Sequence, residues 1–327
     1  MKQKILNILK RNQDWVSGET LCRGLGVSRT AVWKHISGLR EDGYQIEAKA
    51  NLGYRLIASP DVPFPAEVMS GLSATVFGHN LVHLEEVAST NAEAKKLARE
   101  GCPEGTVIIA ETQNGGKGRL GRAWFSPRAG GLWFSIVLRP PVNLIDTPQV
   151  TMVAAVSVAT AIREHTGVPA GIKWPNDILV DGKKICGILV ELNAEMDRVD
   201  FMVAGIGLNV NIGKGEFPPE LADIATSLSM ESGRHIYRVP LLRSLLQQFE
   251  TWYYRWLNEG FAVVLDKWRH MCVTLDCPVT VHTVKETYSG YAFDVDDTGA
   301  LLVRTRDGSV QRLVAGEVTL RKQLRKQ

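Results

Sequence analysis

Cysteine is sparse in this 327-residue chain: Cys22, Cys102, Cys186, Cys272 and Cys277 are scattered, form no C-x-x-C pair and have no histidine at ligand spacing. That excludes a disulfide framework and a thiolate zinc site, and the five read as reduced small hydrophobes. No unbroken apolar run approaches the roughly 18 residues a membrane span needs, so no membrane partner is expected. The opening MKQKILNILKRNQDW has a basic start but neither a continuous apolar core nor a small-residue cleavage site. No secretory signal is visible, and the cytoplasm is the expected compartment. A net charge of +3 is too small to direct the whole chain to nucleic acid or to a surface. The chain is long for one domain and suggests two or three, each able to bury a core.

The charge is nevertheless uneven. Residues 1–58 hold Lys2, Lys4, Lys10, Arg11, Arg23, Arg29, Lys34, Arg40, Lys49 and Arg55 against five acids. In the same stretch KQKILNILKR places Ile5, Leu6, Ile8 and Leu9 at helical recurrence, and Ser17-Gly-Glu-Thr20 resets the chain before a second helix that ends at Gly24 to Gly26. Ser28 then caps RTAVWKHISGLREDG, with Ala31, Val32, Ile36 and Leu39 facing inward. After Gly43, YQIEAKANLGYRL alternates about Asn51-Leu-Gly53, which predicts a hairpin. Helix, turn, helix and hairpin make a winged helix, whose second helix enters a major groove while basic side chains take phosphates. Ser28, Arg29, Thr30, Lys34 and His35 are the candidate DNA contacts. The alternative is a small helical packing module with a solvated basic face. Pro60, Pro63 and Pro65 in ASPDVPFPA (58–66) predict a linker, so the first domain and its linker are expected over 1–64.

QNGGKGRLGRAW (113–124) spells G-x-G-x-x-G at Gly116, Gly118 and Gly121. A dinucleotide fingerprint needs a helix opening inside the glycines and an acid about 20 residues on; here a strand, TVIIAE, precedes, but AWFSPRAGGLWFSIVLRP reads as a turn into another strand. No V-A-I-K segment comes after it, as a kinase requires. That leaves a glycine loop bearing Lys117, Arg119 and Arg122, able to close over a phosphate, or else a solvated basic hairpin loop. KWPND (173–177) then gathers a cation, an aromatic plane, a proline and two oxygen-bearing side chains. DILVDGKKICGILVEL reads as a hairpin about Asp181-Gly182, and GIGLNVN (205–211) as a strand whose small residues admit a close approach. PLLRSLLQQFETWYYRWLNEG and FAVVLDKWRHMC predict helices, and short alternating strands come after Pro278.

EVASTN (86–91), ETQNGGKGRLGRAW (111–124), KWPNDILVDGKKICGILVEL (173–192) and GIGLNVN (205–211) closely resemble, in order, the motifs of biotin–protein ligases. With the winged helix in front and GEVTLR (316–321) near the end, the resemblance is to the branch that is ligase and biotin-operon repressor in one chain. It covers almost the whole sequence. It implies an α+β multidomain fold: the winged helix-turn-helix, a central mixed-sheet ligase domain of the class II synthetase and biotin ligase type over 65–272, and an SH3-like β-barrel over 273–327. It further implies that biotin and MgATP form biotinyl-5′-adenylate. The biotinyl group then passes to a lysine of a biotin carboxyl carrier protein domain of a biotin-dependent carboxylase. The adenylate-bound homodimer would repress biotin genes at operator DNA.

By the same resemblance Ser89, Thr90, Asn91, Gln113, Gly116, Lys117, Gly118, Arg119, Lys184, Gly187 and Gly205 line the biotin end. Arg119, Arg122, Trp124, Lys173, Asn176, Asn209, Asn211 and Arg321 meet ATP or the adenylate. Arg119, Lys184 and Asp177 are the catalytic choices, and Asn176 and Asp177 the Mg²⁺ contacts, since that ion takes few protein oxygens besides phosphate and water. Several roles stay open: Trp124 lies against adenine or in the core, Arg321 meets ATP or is a tail charge, and Asp177 serves the metal or the incoming lysine. Ser89-Thr90-Asn91 also suits a helix N-cap. This chain has Lys117 where many relatives carry arginine, and Leu120 where they carry a further basic residue, which puts Lys117's share in doubt. Segment 213–228 is expected to order over the adenylate. A sensor-only, biotin-responsive repressor is the alternative, and it predicts gaps in the glycine loop, in KWPND or at Lys184.

Overall fold

The structure, a computed structural model, describes every residue except 13, 196, 197, 284, 285 and 321–327. It divides into two compact units, Met1–Ser70 and Gly71–Gln327.

In the first unit α1 (Lys2–Arg11), α2 (Gly18–Leu25) and α3 (Arg29–Glu41) are followed by the antiparallel pair β1 (Gln45–Lys49) and β2 (Gly53–Ala58). The Ser17 hydroxyl accepts from the Thr20 amide at 3.0 Å and the Ser28 hydroxyl from the Ala31 amide at 3.2 Å, so both later helices begin with a capped turn. Gly26, at φ 65°, ends α2 in the left-handed conformation. Ile5, Leu6, Leu9, Leu21, Val32, Ile36, Leu39 and Ile46 form the core. At the end of the hairpin turn a side chain on Gly53 would lie 2.1 Å from the Val16 carbonyl, where Val16 bridges to Tyr54. The expectation of an unstructured linker over 58–66 is corrected: α4 (Pro65–Met69) starts within it. Proline suits the first helical position, whose N–H has no helical acceptor. Glu67 of α4 accepts from the Tyr44 hydroxyl and pairs with Lys10, both at 2.7 Å, which ties α4 to this unit.

The second unit begins with β3 (Leu81–Val87), α5 (Thr90–Arg99), β4 (Val107–Gln113), β5 (Gly131–Leu138) and α6 (Gln149–Thr166). β6 (Gly171–Lys173), β7 (Asp177–Val180), β8 (Lys183–Glu195) and β9 (Arg198–Asn209) complete a seven-stranded mixed sheet in the order β3-β4-β5-β9-β8-β7-β6. Among the described residues of this sheet only β3 and β4 run parallel, the connection being α5. Ala94 and Ala98 of α5 pack on Ile108, Val137, Phe201 and Val203. After α7 (Leu228–Ser232), the long α8 (Arg238–Glu259) and α9 (Phe261–Met271) pack against α6. Residues 144–166, which include α6, are long and apolar enough to cross a membrane by length and composition, contrary to the sequence reading. Yet 78% of that apolar window is buried within the unit, as suits a core helix.

The chain closes with β10 (Cys277–His282), β11 (Thr287–Val295), β12 (Leu301–Thr305), β13 (Val310–Leu313) and β14 (Glu317–Leu320), an antiparallel sheet in the order β13-β12-β11-β10-β14. Among the described residues no pairing of β13 with β14 closes it into the expected barrel.

Candidate functional site

Gly187 on β8 and Gly207 on β9 are opposite each other, as are Leu189 and Gly205. Side chains are thus missing from one patch of the sheet, and two neighbours fill it. Trp124, from the glycine loop, lies where a side chain on Gly207 would come within 2.3 Å of its indole nitrogen, and one on Gly187 within 2.9 Å of its ring. Asn91, at the start of α5, lies where a side chain on Gly205 would come within 2.1 Å of its amide oxygen. Above this patch opens a cavity of about 550 Å³, within the range of small-molecule sites.

One end of the cavity is neutral. Gln113 Oε1 accepts from the Thr90 amide at 2.8 Å and hydroxyl at 3.1 Å, and its Nε2 donates to Ser126 Oγ at 3.0 Å. That leaves one N–H of Gln113 for a ligand acceptor. Asn91 donates to the Leu189 carbonyl and to Glu191, and its oxygen accepts from the buried Ser135 hydroxyl at 2.6 Å. Asn91 is therefore held by protein on both faces of its amide. Burial alone would raise the Glu191 carboxyl, but its bonds from Lys95 and Asn91 prevail and hold it below the usual range. Ser89 caps α5 without a side-chain bond, so its hydroxyl does not serve as the cap, and the residue lines the cavity.

The other end is cationic. The turn Asp181-Gly182 has two left-handed residues, at φ 48° and 79°, and sends β8 back along β7. Lys184 thereby reaches Asp177 at 2.6 Å and sits 5.2 Å from the Trp124 ring centroid. Arg119 donates to Asn176 Oδ1 at 3.1 Å, and Asn176 donates in turn to the Ile188 carbonyl at 2.7 Å. Burial lowers the Lys173 pKa, with Asp177 opposing and Lys184 adding to the fall; burial likewise lowers Arg119. These cations are crowded and partly desolvated, a state that an anion would relieve. The Cys186 thiol beside them is raised by burial and stays neutral, so it is no nucleophile.

The glycine loop folds on itself, Gly118 N donating to the Arg122 carbonyl and Trp124 N to the Gly116 carbonyl. A single 3₁₀ turn over Arg119–Gly121 replaces any phosphate-binding helix. Arg122 pairs with Glu317 of β14 at 2.6 Å, and Gly316 to Leu320 complete the cavity wall. Of the residues singled out in the sequence, Ser89, Thr90, Asn91, Gln113, Lys117, Gly118, Arg119, Arg122, Trp124, Lys173, Asn176, Asp177, Lys184, Gly187, Gly205 and Asn209 line this one cavity. Two do not. Gly116 is buried behind Gln113, where a side chain would meet the Trp124 carbonyl at 2.8 Å. Asn211 exchanges two hydrogen bonds with the Ile236 backbone, its amide being used to brace a loop. Arg321 lies outside the described residues. Sequence reasoning placed segment 213–228 over the site without naming the apolar side chains it brings, Phe217, Leu221, Ile224 and Ala225, and it missed Phe125 and Glu317. The Phe-Pro-Pro and Gly-Glu-Val stretches around Phe217 and Glu317 carry no period that would have marked them.

In the first unit Arg29, Thr30 and Lys34 are exposed on α3, His35 is half-buried, and Ser28 is engaged as the cap.

Residues 84–209 match the biotin/lipoate A/B protein ligase family, residues 2–55 a helix-turn-helix domain and residues 274–321 the biotin protein ligase C-terminal domain. The chain is 41% identical over 307 residues, 94% of either chain, to the bifunctional ligase/repressor BirA of Bacillus subtilis (strain 168). It is 28% identical to the protein of the same description from Escherichia coli (strain K12), over 96% of this chain and 95% of that one. Among solved structures it is similar to the biotin protein ligase from Aquifex aeolicus in complex with biotin and ATP. The TM-score is 0.65 at 32% identity, covering 74% of this chain and 99% of that one.

Proposed function

Because this chain belongs to the biotin protein ligase family, in its bifunctional ligase/repressor branch, we propose that it adenylates biotin, delivers the biotinyl group to a carrier lysine and represses transcription at operator DNA. The observation that carries the enzymatic part is the single cavity joining a neutral hydroxyl-and-amide end to a cluster of cations. A carboxylate attacking the α-phosphate of ATP meets anion–anion repulsion, so the site must supply positive charge rather than a nucleophile. Arg119, Lys173 and Lys184 supply it, with Arg122 at the rim. The remaining N–H of Gln113 and the Ser89 hydroxyl suit the ureido ring of biotin. One biotin carboxylate oxygen bonds to the α-phosphorus and pyrophosphate leaves. The carrier's neutral ε-amine then attacks the biotinyl carbonyl carbon, AMP leaves and the amine loses its proton. Lys184, beside the acyl phosphate, polarises that centre, and Asp177, paired with Lys184 at 2.6 Å, is the carboxylate we assign to accept the departing proton.

The donor set fits Mg²⁺ at one residue: Asp177 and Asn176 are both engaged, by Lys184 and by Arg119 and Ile188, and only Asp177 offers a charged oxygen to the ion, so Asp177 would be the protein contact and Asn176 a positioning group. When bound with ATP the ion supplies neutralisation of phosphate charge.

Segment 213–228 covers the cavity with Phe217, Leu221, Ile224 and Ala225 and shields a hydrolysable intermediate from water. Retained adenylate then favours a two-fold dimer that presents two α3 helices to symmetric half-sites. We read the C-terminal sheet as an SH3-like domain starting near residue 273, and the cytoplasm as the compartment. A sensor-only repressor would lack parts of the glycine loop, KWPND or Lys184, and all three are in place around the cavity. Labelled biotin, MgATP and an isolated biotin carboxyl carrier domain test the reading. Label should move to the carrier, and Arg119→Ala or Lys184→Ala should slow it by about 100-fold or more with the fold intact. Near-normal transfer by either variant would remove that residue from the mechanism.

A further inference from the structure

The exposed face of α3 carries a residue that no motif explains. Val32, Ile36 and Leu39 are buried, while Trp33 leaves 60% of its surface to solvent. Large aromatics gain stability from burial, so an indole held in water on a rigid helix is a group waiting for a surface. Trp33 is four residues after Arg29, three after Thr30 and next to Lys34, all exposed on the same side of the helix. No acid occurs from Ser28 to Arg40. The surface that complements an exposed aromatic flanked by two cations on one helix face is a polyanion with an apolar point in its groove.

Resting on the DNA-binding reading above, we propose that Trp33 is a specificity-determining residue, packing its indole edge on the C5-methyl group of a thymine in the major groove. That methyl is the one apolar feature on the groove floor. Arg29 and Lys34 hold the helix by phosphates, which fixes register without reading sequence, and Trp33 supplies the reading. Intercalation is a different act: wedging side chains work from the minor groove, where α3 is not expected.

The full chain, with biotin and MgATP present, selects its site from a randomised duplex library. Each thymine of that site is then replaced in turn by deoxyuridine, which removes only the methyl. At one thymine per half-site the replacement should weaken wild-type binding roughly fourfold, the equivalent of one methyl-sized apolar contact. Trp33→Ala should bind on the order of tenfold more weakly and be indifferent to that replacement; Trp33→Phe should recover part of the sensitivity. Trp33 is exposed, so matching far-UV circular dichroism of the variants is expected. Equal deoxyuridine sensitivity in wild type and Trp33→Ala overturns the role of Trp33 while leaving the DNA-binding reading in place. Unchanged DNA affinity with a lost protein–protein contact overturns it also, in favour of a protein surface. A wild-type chain that selects no duplex overturns both.

Discussion

Ser135 shows how a residue outside every motif acts on the site. Its hydroxyl is fully buried and lies 2.8 Å from Thr90 Oγ1 and 2.6 Å from Asn91 Oδ1, so it orients two side chains of the neutral end. Ser135→Ala removes the one hydroxyl proton these two oxygens share, worth about 1–3 kcal/mol in a buried place. The expected outcome is a rise of about tenfold in the KM for biotin with little change in the KM for ATP; equal effects on both would mean general loosening. Lys173 gives a pH prediction. Its pKa is lowered in the free protein, chiefly by burial, and a bound phosphate would raise it again. Binding therefore takes up a proton between the two values, and ATP affinity falls as pH rises through the free-site value. Calorimetry in buffers of different ionisation enthalpy should show proton uptake as pH rises through the free-site value, and Lys173→Met should abolish it. At this scale the sequence was most legible where chemistry repeats in short order, as in KWPND and GGKGRLGR. It was silent on Ser135 and Glu191, whose partners are distant in the chain, and it misassigned Asn211, because an amide looks the same whether it faces a ligand or a loop.

Among the elements, segment 213–228 is tied directly to the lysine-bearing strand. Lys184 N donates to the Ile224 carbonyl at 2.8 Å, Thr226 N to the Lys184 carbonyl at 2.9 Å, and Asn209 Nδ2 to the Thr226 carbonyl at 3.0 Å. Backbone and side chain together pin one end of the cover to the floor of the site. Asn209→Ala should loosen it, so that adenylate escapes or hydrolyses several-fold faster while its rate of formation changes less; quenched-flow measurement of adenylate lifetime checks this. An unchanged lifetime would leave the cover without a retaining role. Elements with a clear period or cap were readable: α1 to α3, the β1–β2 hairpin, the β7–β8 hairpin, α8 and α9. α6 was not, because QVTMVAAVSVATAIREHT is apolar and small nearly all round and shows no stripe. α4 was hidden by prolines that oppose a helix interior but suit its first turn. That a strand, β5, rather than a helix comes after the glycine loop was legible in the turn and the apolar GLWFSIVL run beyond the glycines; its pairing with β4 was not.

For the whole molecule, the proposed reading makes ligation and repression two uses of one intermediate. If α3 binds operator DNA, affinity should fall steeply with salt, and Arg29→Ala or Lys34→Ala should each weaken binding and lower the salt slope by about one. Unchanged affinity in both would remove α3 from the interface. The order of domains was legible because each carries its own local signature: a capped helix pair with a basic excess, a glycine loop followed by KWPND, and short strands after Pro278. How the C-terminal strand β14 closes the cavity through Glu317 was not, since that contact joins positions 122 and 317. The central claim is that the cavity performs adenylation, and it is tested most directly by exchange of labelled pyrophosphate into ATP with the purified chain and Mg²⁺. Exchange that requires biotin, and that lipoate does not support, is the predicted result. A folded chain that binds biotin yet gives no exchange would contradict it and leave a sensor without an enzyme.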